Sequence, residues 1–256
     1  MPRSREANVV AAADLDYPFS QMKLRQLVSV APAIIVLALS TFSQGTIVVH
    51  DPTKDAPEVK LTPAEQALFD HSMPAVAKHV ALESCDTETR ETSGLAHGAF
   101  TSSGAKQTLI FYQYCQTGNG LGWVGLLLIE GGKVVGNYIS DSGWSVGIET
   151  VPDINQNGLD EFTLAFGGGM HQGAGGVGVD LMEFSAGLPR GLGWYKTEEF
   201  NESQTDSAWK LTTRPGKPPI FYKQKFFSGE DQKYRPRGGA VATKLGTPYG
   251  KFEQVK

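Results

Sequence analysis

The sequence contains little of what many catalytic and metal sites are built from, with two cysteines and five histidines among 256 residues. Two cysteines cannot hold zinc without histidines, and no histidine stands at ligand-like spacing beside them. No His-Glu-x-x-His pattern or serine-nucleophile motif accompanies the histidines, and no Gly-Lys-Ser/Thr follows a glycine-rich stretch. The composition therefore points away from zinc proteases and P-loop nucleotide-binding proteins.

Long hydrophobic runs are also missing, apart from Leu27 to Phe42, which follows Lys23 and Arg25. This run is shorter than the ~20 residues that cross a bilayer, and small or polar residues follow it. Residues 1–45 are therefore predicted to be a signal peptide, cleaved after Gly45 or Ser40, with Met22 as an alternative start. An uncleaved anchor is the other interpretation, and it would be the chain's only attachment to a membrane.

The cysteines and the charge distribution agree with export. In an oxidising compartment the isolated pair Cys85 and Cys115 predicts one disulfide, with two free thiols as the alternative. Residues 45–213 carry nine basic against 21 acidic side chains, whereas residues 214–256 carry ten against three. An acidic body suits cation binding, and a basic C-terminal segment could contact an anionic surface or simply be solvated.

Residues 46–94 are predicted to be a linker followed by short helices. Thr62, Pro63 and Glu65 form the pattern of a capping box with proline at the first helical position. Pro74 is expected to end this helix, and a second helix could run from Pro74 to Leu82.

Residues 95–213 are predicted to form a β domain. Runs rich in β-branched and aromatic residues alternate with glycine turns, and Gly131-Gly132 marks a hairpin. In a faint repeat, residues 100–112 align with residues 154–166 at an offset of 54. GLLLIEGGKV (residues 125–134) aligns with GVDLMEFSAGL (residues 178–188) at a slightly different offset, so the sequence contains a first and a second unit of about 54 residues. We expect a mainly β protein, an antiparallel meander of two blade-like or sandwich-like sheets with a short N-terminal helical segment. The basic segment 214–256 is expected to belong to this domain or to pack on it.

The segment DINQNGLDEF, residues 153–162, has oxygen-bearing side chains at alternate positions around Gly158. Glycine permits a sharp turn, and side-chain and backbone oxygens gathered in a tight loop are what Ca²⁺ requires. With Asp153 counted as position 1, position 12 is Leu164 rather than the glutamate of an EF-hand. A strand-like pattern follows the loop, where an EF-hand has a helix. The predicted ligands are Asp153, Asn155, Asn157, Glu161 and the backbone carbonyl of Leu159.

This loop resembles the FG-GAP or VCBS-type repeat, in which a D-x-[DN]-x-[DN]-G-x-x-[DE] loop leads into a strand of a β-propeller blade. The resemblance covers Val151 to Phe166 well and residues 98–190 weakly. It implies structural Ca²⁺ at the residues named above. Two asparagines in place of aspartates imply weaker binding, and the first unit has Ala99, Thr101 and Ser103 at the corresponding positions.

Other interpretations compete with these sites. Asn157-Gly158 could be a simple turn, in which Asp153 bonds only to local backbone. GAGGVG at residues 173–178 matches a dinucleotide motif but precedes a strand-like run rather than a helix. The tryptophans, with Tyr112 and Tyr114, could form a sugar platform but are expected to be mostly core. KPPIFYKQKFF in the basic segment could bind nucleic acid or an anionic wall polymer, but an edge strand protected by lysines is favoured.

The sequence therefore predicts a secreted or periplasmic calcium-binding module of the cell envelope, with a binding or structural role and no catalysis. The sequence does not distinguish among an envelope polymer, a glycan and a protein as the partner. Nucleic acid is not expected. The alternative is an exported hydrolase that uses Glu161 or Asp160 with His171.

Overall fold

The computed structural model describes residues 45–54, 59–80, 85, 87–117, 121–171, 174–201, 204–229, 231 and 233–256. The predicted signal peptide, its alternative start at Met22 and the anchor interpretation lie outside these residues, except for Gly45. The described residues belong to one compact unit. None of their helices is long and apolar enough to cross a membrane.

The described residues form one helix and a set of strands, and the strands account for most of the described residues. In chain order the elements are β1 (Ile47–His50), α1 (Pro63–His79), β2 (Thr87–Gly98), β3 (Gln107–Gln116), β4 (Gly122–Glu130), β5 (Lys133–Asp141), β6 (Trp144–Val151), β7 (Glu161–His171), β8 (Ala174–Ser185), β9 (Leu188–Asn201), β10 (Gln204–Arg214), β11 (Ile220–Ser228), β12 (Tyr234–Thr243) and β13 (Glu253–Gln254).

Two antiparallel sheets contain all of these strands. One has the order β13-β5-β4-β3-β2, and the other has the order β12-β11-β10-β9-β8-β7-β6, with β1 paired to β10. Most neighbouring strands are consecutive in the chain, which confirms the mainly β meander. The β4–β5 hairpin turns at Gly131 and Gly132, both with positive φ, as the sequence predicts.

The main core lies between the two sheets. Apolar side chains from β3 and β4, such as Phe111 and Leu126, share a cluster with Phe162, Leu164 and Phe166 of β7. The opposite face of the five-stranded sheet packs against α1. Strands β3 and β4 are thus buried on both faces, which explains why their sequences are almost continuously apolar.

The prediction that Pro74 ends the first helix was wrong, because α1 continues through it to His79. The predicted capping box is present at its start, where Thr62 and Glu65 exchange hydrogen bonds. Phe69, Met73 and Val76 lie on both sides of Pro74 along the chain and are buried. Their packing against the sheet offsets the helix-breaking effect of the proline.

The β region is larger than the sequence predicts. Strand β1 lies within the predicted linker, β2 begins at Thr87 rather than near residue 95, and β11 and β12 bring much of the basic segment into the larger sheet. β2 and β12 are edge strands, so each pairs on one side only and is less constrained to be apolar. The predicted disulfide joins Cys85 to the buried Cys115 of β3.

Candidate metal centre

The predicted calcium loop connects β6 to β7 at one end of the larger sheet. Val151 pairs with Glu161, so the loop is closed at its base by the strand ladder. Gly158 has φ +89°, the left-handed conformation that the sequence predicts for this glycine. The apolar anchor of the loop is Ile154, which is fully buried, whereas Leu159 is only half-buried.

Backbone N–H groups of the loop donate to three of the predicted ligand side chains. The N–H of Asn157 donates to Asp153 Oδ1 at 3.0 Å, and that of Gly158 donates to Asp153 Oδ2 at 2.8 Å. Asn155 Oδ1 and Asn157 Oδ1 accept in the same way, at 3.0 and 2.8 Å, from backbone two residues on. These bonds fix the shape of the loop. They are expected in a simple turn and in a calcium site alike, so they do not distinguish the two interpretations.

Glu161 distinguishes this loop from an ordinary turn. Its side chain is 0% exposed; Oε2 accepts a hydrogen bond from the N–H of Ile154 at 2.9 Å. Oε1 is buried and has no hydrogen-bond partner among the residues that the structure describes. Burial, together with the nearby negative charges of Asp153 and Glu183, raises the pKa of Glu161 to about 7. A buried carboxylate oxygen without a donor is costly unless a cation compensates it.

The structure adds Glu183 of β8, which sequence reasoning missed. Phe162 pairs with Met182, and this register places Glu161 opposite Glu183 at the end of the two strands. Glu183 Oε2 accepts from the side-chain amides of Asn155 at 2.9 Å and Asn157 at 3.3 Å. The amides therefore compensate part of the charge on Glu183, but they leave Oε1 of Glu161 without a donor.

The faint repeat has a counterpart in these hydrogen bonds. In the first unit the N–H of Phe100 donates to Gln107 Oε1 at 2.9 Å, as the N–H of Ile154 does to Glu161 54 residues later. The amide nitrogen of Gln107 then donates to Glu130 at 2.8 Å. The second alignment of the repeat matches Glu130 with Glu183. This alignment is the feature of the sequence that could have identified Glu183 as part of the site.

The two units thus differ in one chemical respect. The first has an amide facing a carboxylate, and the amide N–H supplies the positive charge density that the carboxylate needs. The second has a carboxylate, Glu161, at the position of that amide, and another carboxylate, Glu183, opposite. Two carboxylates facing each other have no hydrogen to share between them, so a bound cation could take the place of the amide hydrogens.

In the predicted hydrolase alternative, the acidic residues lie far from His171. Glu161 and His171 are the first and last residues of β7, which puts their backbones about 30 Å apart in an extended strand. Asp160 accepts a hydrogen bond from the N–H of Ala99 at 2.8 Å and so ties two loops together. Glu161 and His171 cannot act together on one bond of a substrate within this chain.

Sequence reasoning also passed over Gly143–Gly147, which reads Gly-Trp-Ser-Val-Gly and matches a serine-nucleophile pattern. That motif requires a strand–turn–helix, but Ser145 lies within β6 and pairs with β7. Its hydroxyl is buried and hydrogen-bonded to Gln113 and Ser93, at 3.0 and 2.6 Å. Similarly, most of GAGGVG belongs to strand β8, so the helix that a dinucleotide motif requires does not follow it.

In the described part of the chain, no group of three or more His, Cys, Asp or Glu side chains is arranged to hold a metal ion. The predicted ligand set contains only two such side chains, Asp153 and Glu161. Its other oxygens come from amide side chains and the backbone. No family model, no curated protein and no solved structure matches this chain.

Proposed function

We propose that the protein is a calcium-stabilised β-sheet module of the cell envelope, with a binding or structural role. One Ca²⁺ ion binds between the loop before β7 and the end of β8. It fixes this loop to the sheet, so that the neighbouring turns form a rigid surface. The observation that carries the proposal is the buried Oε1 of Glu161, which has no hydrogen-bond partner in the described part of the chain. Its carboxylate faces that of Glu183, where the first unit has an amide facing a carboxylate.

The available donors suit calcium in number and in kind. Asp153, Asn155, Asn157, Glu161 and the carbonyl of Leu159 are the ligands that the FG-GAP or VCBS-type resemblance implies, and Glu183 adds a carboxylate from the adjacent strand. Ca²⁺ takes 6–8 oxygen ligands in flexible geometry, whereas Mg²⁺ requires a near-ideal octahedron. A loop that mixes carboxylate, amide and backbone oxygens therefore favours calcium over magnesium.

The proposed location rests on the disulfide and on the sequence. A disulfide between Cys85 and Cys115 is compatible with an extracytoplasmic protein, because cytosolic thiols are generally kept reduced. The basic and apolar N-terminal segment adds the pattern of a secretory signal. In such a compartment millimolar calcium would fill even a weak site.

Calcium is expected to stabilise the wild-type protein, and Glu183→Gln is expected to remove most of that effect. With a Kd of about 10⁻⁴–10⁻³ M, calcium at about 10 mM stabilises by roughly 1.4–2.7 kcal/mol. For a protein of this size, that free energy corresponds to a melting temperature about 3–10 °C higher than in chelator. Thermal melting in calcium, magnesium and chelator measures the difference.

Glu130→Gln is the matched control, because Glu130 is the counterpart of Glu183 in the first unit. It removes one negative charge from a similar position and should leave the calcium response as large as in the wild type. Equal calcium responses in both variants would contradict the assignment of Glu183. The absence of any response in the wild type would contradict the calcium site.

A further inference from the structure

The basic C-terminal segment forms an ordered surface on the larger sheet. The lysine-rich strand β11 is an interior strand paired with both β10 and β12, so its interpretation as a protected edge was wrong. Lys225 pairs with Trp209 of β10 on one side and with Arg237 of β12 on the other. Because paired residues share a face, these three side chains cross the sheet in a row.

Cation–π contacts extend and fix this row. Lys223 Nζ lies 4.6 Å from the centre of the Trp209 ring, and Lys225 Nζ lies 5.3 Å from the same ring. Lys225 Nζ and the Arg237 guanidinium lie 4.5 and 4.9 Å from the centre of the Phe227 ring. We call Lys223, Lys225 and Arg237, together with these two rings, the cationic row. The rings hold the cations in place without neutralising their charge.

Among the described residues, no ion pair neutralises the cationic row. None of the three cations forms an ion pair with a described carboxylate, while neighbouring acids such as Glu199 and Asp231 pair with Lys196 and Arg235. Partial burial, together with repulsion from Lys196, lowers the pKa of Lys223. Arg237 and most of β12 are exposed and Lys223 and Lys225 are half-buried, so a large ligand reaches the row from the side of β12.

From this arrangement we infer that the cationic row binds an anionic polysaccharide, with its three cations paired to carboxylates along the polymer. An extended polyanion suits a row of cations on an open sheet better than a compact anion does. Residues 45–213 carry 21 acidic against nine basic side chains, so the rest of the sheet attracts such a polymer less than this face does. Arginine also pairs with carboxylates in a bidentate geometry.

Two other occupants fit the surface less well. Single-stranded nucleic acid binds by stacking bases on open aromatic faces, but cations already lie over the rings of Trp209 and Phe227. A peptide strand added to the edge of β12 would meet Pro236, which lacks an N–H, and Gly238, where φ is +79°. The inference goes beyond the calcium site and does not depend on it.

Binding of the full-length protein to polygalacturonate, a carboxylate polymer, tests the inference. The triple variant Lys223→Gln, Lys225→Gln, Arg237→Gln should bind at least about tenfold more weakly, because three charge contacts are lost. The charge-matched control Lys60→Gln, Lys106→Gln, Lys133→Gln alters exposed lysines elsewhere and should bind like the wild type. Lys225→Arg keeps the charge and should retain binding, which guards against a folding defect.

An oligothymidylate and anionic phospholipid vesicles at equal concentrations of charge, and neutral dextran at an equal mass concentration, complete the comparison. The inference is supported if polygalacturonate binds most tightly and if added salt weakens that binding. It is overturned if the wild type does not bind, if the oligonucleotide or the vesicles bind as well, or if the triple variant binds unchanged. Binding that persists in chelator, while the melting temperature falls, separates this surface from the calcium site.

Discussion

Replacing Glu161 with glutamine is expected to stabilise the calcium-free protein and to abolish its response to calcium. The change gives the second unit the residue that the first unit has at Gln107, where the amide bonds to the carboxylate of Glu130. The new amide can donate to Glu183, and it replaces the buried carboxylate oxygen that has no donor among the described residues. Removing such a group should raise the free energy of unfolding by about 1–3 kcal/mol. Urea unfolding in chelator at pH 8 measures this difference.

The reciprocal variant Gln107→Glu is the matched control for this prediction. It places a carboxylate opposite Glu130 in the first unit, where Ala99, Thr101 and Ser103 supply fewer oxygens. It should therefore destabilise the protein without creating a second calcium response. If Glu161→Gln instead weakens the protein in chelator and leaves the calcium response intact, Glu161 is not a calcium ligand.

Removing the disulfide is expected to lower the melting temperature by roughly 10 °C. Cys85 and Cys115 close a loop of 30 residues, and in the chain-entropy model such a cross-link stabilises by about 3–4 kcal/mol. The double variant Cys85→Ala, Cys115→Ala avoids burying a new polar group at the position of Cys115. Differential scanning calorimetry of oxidised wild type and variant measures the effect.

The calcium response should survive in the disulfide variant. Cys115 lies near the end of β3 that is opposite to Gln107, far from the loop before β7. Reduced wild-type protein should melt close to the double variant, which shows that the bond and not the side chains is responsible. A melting temperature that is unchanged by both treatments would contradict a stabilising role for the cross-link.

The sequence predicts best the strands that are buried. β3 and β4 are covered on both faces, and β7 carries buried aromatic residues, so their apolar runs are distinctive. β2 and β12 were not recognised because they are edge strands with many polar or small residues. The helix was predicted from its capping box, but its length was not, because packing on both sides of Pro74 is a tertiary effect.

For the candidate site, local sequence predicts the loop but not its surroundings. The alternation around Gly158 predicts the turn and Glu161 as a ligand, whereas the burial of Glu161 is seen only in the structure. The contribution of Glu183 depends on the pairing of β7 with β8, which no local pattern contains. The tryptophans show the same limit, since they were expected to be mostly core but none is fully buried, and Trp144 is 50% exposed.

Equilibrium dialysis against radioactive calcium tests the central claim most directly, because it counts bound ions. At about 5 mM free calcium, several times the expected Kd, the wild type should hold close to one ion per chain, and excess magnesium should displace little of it. Glu161→Gln should hold almost none under the same conditions. If the wild type holds no more calcium than Glu161→Gln, the loop before β7 is a turn and not a calcium site.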